Sequence, residues 1–206
     1  MNDNFCIMTN VIYDRIPQYV QVSDRNKTRY CLRHGITFLN MRVNPRPDSH
    51  PVWCKPSLMA WALEQYRWCI WMDADAIPLN LGFDVAGYLS SVEEPVVMGQ
   101  DINGFNAGVF AVRDDARDWL LKIDSRRKEE RYTRGFREQQ AMSDSIGAGE
   151  VKCHIPPLEI GWNDYIPALY NRNQDKNVWI EDSSWVLHLP AVNNADRLSI
   201  FRELAK

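Results

Sequence analysis

Two aspartates separated by one residue directly follow an apolar run of the sequence. Asp73 and Asp75 flank Ala74 and come after WCIWM, which has the composition of a buried strand. Side chains two positions apart share a face of an extended chain, so we expect the two carboxylates to converge. Converging anions repel each other unless a cation lies between them, and Mn²⁺ or Mg²⁺ prefers such oxygen ligands. The pair therefore predicts a divalent cation that binds a substrate phosphate; the alternative is a solvated turn before Pro78.

The elements that must position this pair alternate between strand and helix. Strands are predicted for residues 5–12, 36–43 and 68–72, with helices at residues 18–33 and 55–66 between them. This alternation indicates an α/β layered fold with a mainly parallel central sheet flanked by helices. In such sheets, ligands bind in the crevice beyond the carboxyl ends of the strands, where the aspartate pair is placed.

The second half of the chain continues this alternation. Helices are predicted for residues 84–89, 136–146 and 193–205, and another begins at Asp114 or Asp115. Further strands are predicted for residues 96–99, 108–113 and 185–189, and the charged run 125–134 is expected to be solvated. No internal repeat or linker is visible, so residues 1–206 are predicted to form one domain.

Composition excludes several classes of protein. Hydrophobic residues make up 45% and charged residues 25% of 206, which is ordinary globular usage and excludes disordered or fibrous classes. A net charge of -3 argues against binding to a nucleic-acid backbone. Five widely spaced cysteines without a C-x-x-C pair fit reduced thiols. With no apolar run of about 20 residues and no signal peptide, we expect a cytoplasmic or soluble protein, or a catalytic domain trimmed from a longer or anchored one.

Several segments resemble one family of glycosyltransferases, in the same order along the chain. WCIWMDADAIPLN resembles the aspartate-any-aspartate segment of GT-A nucleotide-sugar glycosyltransferases, and more narrowly of the galactosyl-, xylosyl- and mannosyltransferase family of yeast and plant Golgi enzymes. The chain is also similar to compact glycosyltransferases of large algal viruses. The resemblance covers residues 5–189 and implies a GT-A (Rossmann-like) fold. It rests further on the segments RNKTRYCLRHGITF, CKPSLMAWALEQYRWCIWMDADA, GFNAGVFAVRDDARDWL, REQQAMSDSI and WVLHLP.

The resemblance implies roles for residues whose local pattern is ambiguous. His188, between two leucines on a predicted strand, has the pattern of a core histidine, but the resemblance makes it a third metal ligand beside Asp73 and Asp75. Asn106 and Gly108 have the composition of a turn, whereas the resemblance assigns them to the donor sugar.

The acceptor side of the site is implied in the same way. Glu138 and Gln139 lie early in a helix, where the helix dipole also favours an acid. By resemblance they face the acceptor and the anomeric carbon. Asp101 is expected either to contact sugar hydroxyls or to stabilise a turn. Pro190 and Ala191 depart from the family, which has glycine and cysteine after the final histidine.

The nucleotide is expected at the end of the first strand, where this fold class holds the nucleoside. Thr9 is predicted to bond the base and Tyr13 to stack on it, with Asn10 beside them. Lys55 is expected either to neutralise phosphate or to extend its ammonium from the helix into solvent. Arg197 is a weaker phosphate candidate.

These features together predict a metal-dependent, retaining glycosyltransferase. Its donor is expected to be a UDP-sugar, with a GDP-sugar possible, and its acceptor a glycan or glycoconjugate. A non-catalytic nucleotide- or glycan-binding module is the first alternative. A haloacid-dehalogenase-like phosphohydrolase is the second, although such sites carry Thr or Val where this chain has Ile77, on a first rather than an internal strand.

Overall fold

A six-stranded sheet forms the centre of the protein, which is described here by a computed structural model. The structure describes residues 4–12, 14–101, 103–166, 169, 179–180 and 183–205. The sheet is built from β1 (Phe5–Asn10), β2 (Thr37–Met41), β3 (Trp68–Met72), β5 (Val96–Asp101), β6 (Gly104–Arg113) and β7 (Cys153–His154). Two short strands, β4 (Ala76–Pro78) and β8 (Val186–His188), form a second sheet.

The central sheet is mainly parallel, as the alternation of elements predicts. Its strand order is β2-β1-β3-β6-β5-β7, and among these strands β6 alone runs against its neighbours. The reversal arises because β5 and β6 form a hairpin, in which Gly104 adopts a φ of 99°. The hairpin makes both strands longer than predicted, so Asn106 and Gly108 lie inside β6 and not in a turn.

Six helices flank the sheets in the part of the chain that the structure describes. Gly35 ends the first of them in the left-handed conformation, with φ 63° and its N–H donating to Cys31 O. The predicted helix at residues 55–66 is shorter, because the chain turns after Ala62 to enter β3. The helices are α1 (Gln18–His34), α2 (Cys54–Ala62), α3 (Val85–Ser90), α4 (Arg117–Ser125), α5 (Arg137–Gly147) and α6 (Asn194–Leu204).

Apolar side chains cover both faces of the central sheet. All five residues of β3 are buried, with Cys69 and Trp71 in the core on one face and Trp68, Ile70 and Met72 in the core on the other. A third apolar cluster lies around the β4–β8 sheet, between α1 and α6. None of the described helices has the length and apolar character needed to cross a membrane.

Candidate active site

The segment between β3 and β4 is a tight turn that carries both aspartates. Asp73 N–H donates to Gly108 O at 2.8 Å, and Ala76 N–H donates back to Asp73 O at 3.0 Å. The two carboxylates do converge, but the extended-strand reason given for it is wrong. A turn brings them together, because β3 ends at Met72.

His188 joins the two aspartates although it lies more than a hundred residues away in the chain. The antiparallel pairing of β4 with β8 places Ala76 opposite His188, and Leu189 N–H donates to Asp75 O at 2.9 Å. One ligand atom from each of Asp73, Asp75 and His188 lies within 4.8 Å of the others. His188 Nε2 lies 3.4 Å from Asp75 Oδ1.

This three-residue cluster has the chemistry of a divalent-cation site. His188 is only 2% exposed; its Nε2 lies 3.4 Å from Asp75 Oδ1, but neither ring nitrogen has a partner in hydrogen-bond geometry among the described residues. Buried polar atoms are normally bonded, so an unpartnered imidazole beside two carboxylates fits a metal ligand better than a core histidine. Burial would raise the pKa of Asp75, but His188 and Arg197 lower it below its ordinary value, so this carboxylate is ionised. These residues fit Mn²⁺ or Mg²⁺.

Lys55 lies between the carboxylates of Asp73 and Glu138. Its Nζ lies 3.0 Å from Asp73 Oδ1 and 3.1 Å from Glu138 Oε1, and it donates to Ala107 O at 3.1 Å. Burial would lower the pKa of Lys55, but Asp73 and Glu138 raise it above its ordinary value. Lys55 is 6% exposed, so it does not extend its ammonium into solvent, and it supplies a fixed positive charge beside the cluster. Trp71 Nε1 also donates to Asp73, at 2.7 Å.

The start of β6 is bound by a polar network behind the aspartate turn. Asn106 Nδ2 donates to Asp101 Oδ2 at 3.0 Å, and Gly108 N–H donates to Asn106 Oδ1 at 2.8 Å. Gln139 Oε1 accepts from Ala107 N–H at 3.0 Å. Asp101, Asn106, Gly108 and Gln139 are thus brought together, and Glu138 reaches Lys55 from the same helix.

Two further members of this network were not singled out in the sequence. Asn163 Nδ2 donates to Asn106 Oδ1 at 2.9 Å, and Tyr165 OH donates to Asp101 Oδ2 at 3.2 Å. Asn163 is 1% exposed, and its own Oδ1 has no partner in the described residues. They lie in the stretch GWNDY, which has neither helical nor strand periodicity. The one available signal was the concentration of polar and aromatic residues there.

A cleft of about 370 Å³ opens in front of the aspartate turn. Asn10, Lys55, Asp73 and Asp75 line it, together with residues 50–52. Asn10 also bonds the main chain of Val43 at both its amide nitrogen and its oxygen. A cleft of this size with a few convergent polar groups is typical of a small-molecule site.

Other predicted binding residues do not line this cleft. The Thr9 side chain is fully buried, with its hydroxyl 3.5 Å from Lys27 Nζ, so it faces the interior. Glu138 is 4% exposed and paired with Lys55, and His188 lies behind Asp75. Tyr13 lies outside the described residues.

Arg197 is a buried structural cation and is not exposed to bind a phosphate. Its guanidinium donates twice to Leu189 O and lies 3.2 Å from Asp75 Oδ2. The same group stacks over the Tyr19 ring at 4.5 Å, and Arg197 is 5% exposed. Arg197 therefore pairs with Asp75, as Lys55 pairs with Asp73.

Sequence comparison supports the resemblance stated above. The profile of the galactosyl transferase GMA12/MNN10 family matches residues 7–93, which include the aspartate turn. An uncharacterized alpha-1,2-galactosyltransferase of Schizosaccharomyces pombe is 23% identical over 169 residues, which are 62% of this chain and 45% of the yeast protein. The chain thus spans about half the length of this curated relative.

Solved structures identify the fold as GT-A. A glycosyltransferase involved in glycosylation of the major capsid of PBCV-1 superposes with a TM-score of 0.79 and 16% identity, covering 97% of this chain and 98% of the viral one. The galactosyltransferase LgtC, solved with donor and acceptor sugar analogs, gives 0.60 and 15%, covering 97% and 95%. A mutant of Drosophila beta-1,4-galactosyltransferase 7, in complex with manganese, UDP-Gal and xylobiose, gives 0.52 and 13%, covering 94% and 73%. The family profile and the yeast relative are thus similar to part of this chain, and the solved structures share its fold.

Proposed function

We propose that this chain transfers a sugar from a nucleotide diphosphate sugar, with UDP as the favoured nucleotide, to a hydroxyl group of a glycan or glycoconjugate. The observation that carries the proposal is the cluster of Asp73, Asp75 and His188, in which the two aspartates line a cleft. Two carboxylates and an unpartnered imidazole would hold Mn²⁺ or Mg²⁺. When bound, this ion neutralises charge on the diphosphate leaving group.

Other residues of the chain would bind the phosphates, the donor sugar and the nucleoside. Lys55 holds Asp73 in place from the cleft wall and adds a positive charge near the phosphates. Asn106, with Gly108 beside it, presents an amide to the donor sugar, and Asp101 orients that amide through its hydrogen bond. We assign the nucleoside to the end of the cleft lined by Asn10.

We assign the acceptor to the N-terminal end of α5. Gln139 already contacts the main chain beside Asn106, which brings its side chain next to the proposed sugar position. Glu138 is an acid beside the same position, but its pairing with Lys55 gives it an electrostatic role in this conformation. The resemblance to the Golgi family favours retention of the anomeric configuration, which the product's anomeric proton coupling would test.

The test is a panel of nucleotide sugars assayed for nucleotide release with and without Mn²⁺. We expect a UDP-sugar to give manganese-dependent UDP release, and UDP with Mn²⁺ to raise the melting temperature more than either alone. Release of inorganic phosphate would indicate a phosphohydrolase instead. Binding of UDP and Mn²⁺ without turnover of any donor would indicate a non-catalytic module.

A further inference from the structure

One face of α1 donates a series of hydrogen bonds to the main chain that follows the aspartate turn. Lys27 Nζ donates to Asp73 O at 2.7 Å, and Ser23 Oγ donates to Ala76 O at 2.8 Å. The donors lie at positions 23, 26, 27, 30 and 34, a spacing that keeps them on one face of the helix. The series is completed by Asn26 to Pro78 O, Tyr30 to Phe83 O and His34 to Leu81 O.

These bonds satisfy the edge of β4 that no described strand covers. β4 pairs with β8 on one edge, and α1 packs against it where no other described strand does. Ala76 and Pro78 are buried, and a buried carbonyl group without a hydrogen bond destabilises the fold. Side chains of α1 supply the donors that a neighbouring strand would otherwise provide.

Lys27 differs from the other donors because it carries a charge and contacts the turn itself. The side chain is fully buried, and burial lowers its pKa to about 8, although Asp24, Asp73 and Asp75 act in the opposite direction. A buried ammonium is costly to place, and an uncharged donor would satisfy one carbonyl group. The Asp73 carbonyl already accepts from Ala76 N–H, so main-chain satisfaction does not require a lysine here.

The position of the Lys27 ammonium indicates its role in the aspartate turn. Asp73 O belongs to the peptide group that joins the first aspartate to Ala74, inside the turn that sets the direction of both carboxylates. The bond from Lys27 fixes that peptide group, and Lys27 itself is fully buried and is not among the residues that line the cleft. Its Nζ lies 2.7 Å from the Asp73 carbonyl oxygen, so its charge offsets the mutual repulsion of Asp73 and Asp75 before any cation binds.

We propose that Lys27 is a positioning residue for the metal site, acting through the Asp73 main chain to hold the two carboxylates in their binding geometry. The inference rests on the proposed function, because it assumes that Asp73 and Asp75 bind a divalent cation. It makes α1, which contributes no proposed ligand, part of the site.

Lys27→Met tests this inference, because methionine keeps an unbranched side chain of similar length but has no donor or charge. Mn²⁺ binding is measured in the presence of saturating UDP by electron paramagnetic resonance of free Mn²⁺, and stability by urea unfolding without metal. Ser23→Ala is the matched control, since it removes a bond from the same helix face to Ala76 O, one residue beyond the aspartates. Neither measurement depends on turnover.

We expect Lys27→Met to weaken Mn²⁺ binding at least tenfold per folded molecule, and Ser23→Ala to change it less than twofold while lowering stability. Equal Mn²⁺ affinity in Lys27→Met and the unmodified chain would overturn the inference and leave the metal site standing. Absence of Mn²⁺ binding in the unmodified chain would overturn both. Should Lys27→Met not fold, Lys27→Gln, which keeps an uncharged donor, is judged by the same tenfold criterion.

Discussion

A Cβ atom at Gly108 would lie 2.0 Å from Cε1 of His188, so the imidazole ring occupies the space of a side chain at position 108. Gly108 also donates its N–H to Asn106 and its carbonyl accepts from Asp73, so its main chain is fixed on both sides. The glycine was expected to let a sugar approach the strand. The structure shows that it admits the third member of the proposed metal site.

Gly108→Ala should therefore displace the His188 ring. We expect Mn²⁺ affinity in the presence of UDP to fall at least tenfold, a loss of about 1.4 kcal/mol, with a smaller effect on the fold because β6 has partners on both edges. Isothermal calorimetry checks the affinity. Gly147→Ala is the control, since position 147 ends α5 with open space around it and should gain slight stability. Unchanged affinity in Gly108→Ala would contradict the arrangement.

Asp75→Asn should abolish transfer while leaving the chain folded. The substitution keeps the shape of the side chain but removes the charge that faces His188 and Arg197. We expect donor turnover below a tenth of the original, a barrier increase above about 1.4 kcal/mol, with circular dichroism unchanged. Asp115→Asn, at an exposed ion pair with Arg113, should retain activity. Turnover above a tenth in Asp75→Asn would remove this carboxylate from the mechanism.

Lys55→Met should be strongly destabilising without metal. It leaves Glu138 buried and opposite Asp73 with no cation between them, and breaking a buried ion pair typically costs about 3–5 kcal/mol. Adding Glu138→Gln should recover part of that loss, because the second charge is removed. Urea unfolding of both single variants and the double variant measures the coupling. Additive effects would show that the two residues do not form a pair.

Glu150 should make the stability depend on pH in the acid range. Ser145, Lys122 and Arg126 lower the pKa of Glu150 to about 2, against an ordinary value of 4.5. A carboxylate with a lowered folded-state pKa stabilises the fold above the unfolded-state value, and this contribution is lost as the pH falls toward the folded-state value. The stability difference between the unmodified chain and Glu150→Gln should thus be constant above about pH 5 and shrink between pH 4.5 and 2. A difference that stays constant down to pH 2 in chemical denaturation would refute this.

Local signals were sufficient for the elements that carry the site. The run Trp68–Met72 is apolar throughout because both faces of the strand are covered, and its bounds were predicted correctly. The α/β alternation, the bounds of α1 to within one residue and the place of Asp73 and Asp75 beyond a strand were also predicted. Each depends on composition or periodicity within about ten residues.

Other parts of the site depend on contacts between distant segments. β4 has three residues, too few for periodicity, yet its pairing with β8 is what brings His188 to Asp75. His188 was selected by resemblance, because a histidine between two leucines has the local pattern of a core residue. Asn163 and the buried Lys27 leave no periodic signal, since the bonds that tie them to the site run to partners more than forty residues away.

The donor series on α1 also constrains which changes of length the chain can accept. Successive residues of a helix are rotated by about 100°, so one inserted residue between Ser23 and Tyr30 would turn every later donor away from its carbonyl. Substitutions on the solvent side of α1, such as at Leu32, leave that alignment intact. Insertions or deletions within this helix should be far rarer among functional descendants of this chain than in the loop at residues 44–49. The hydrogen bonds of α1 to the segment that carries the aspartates therefore fix the length of this helix.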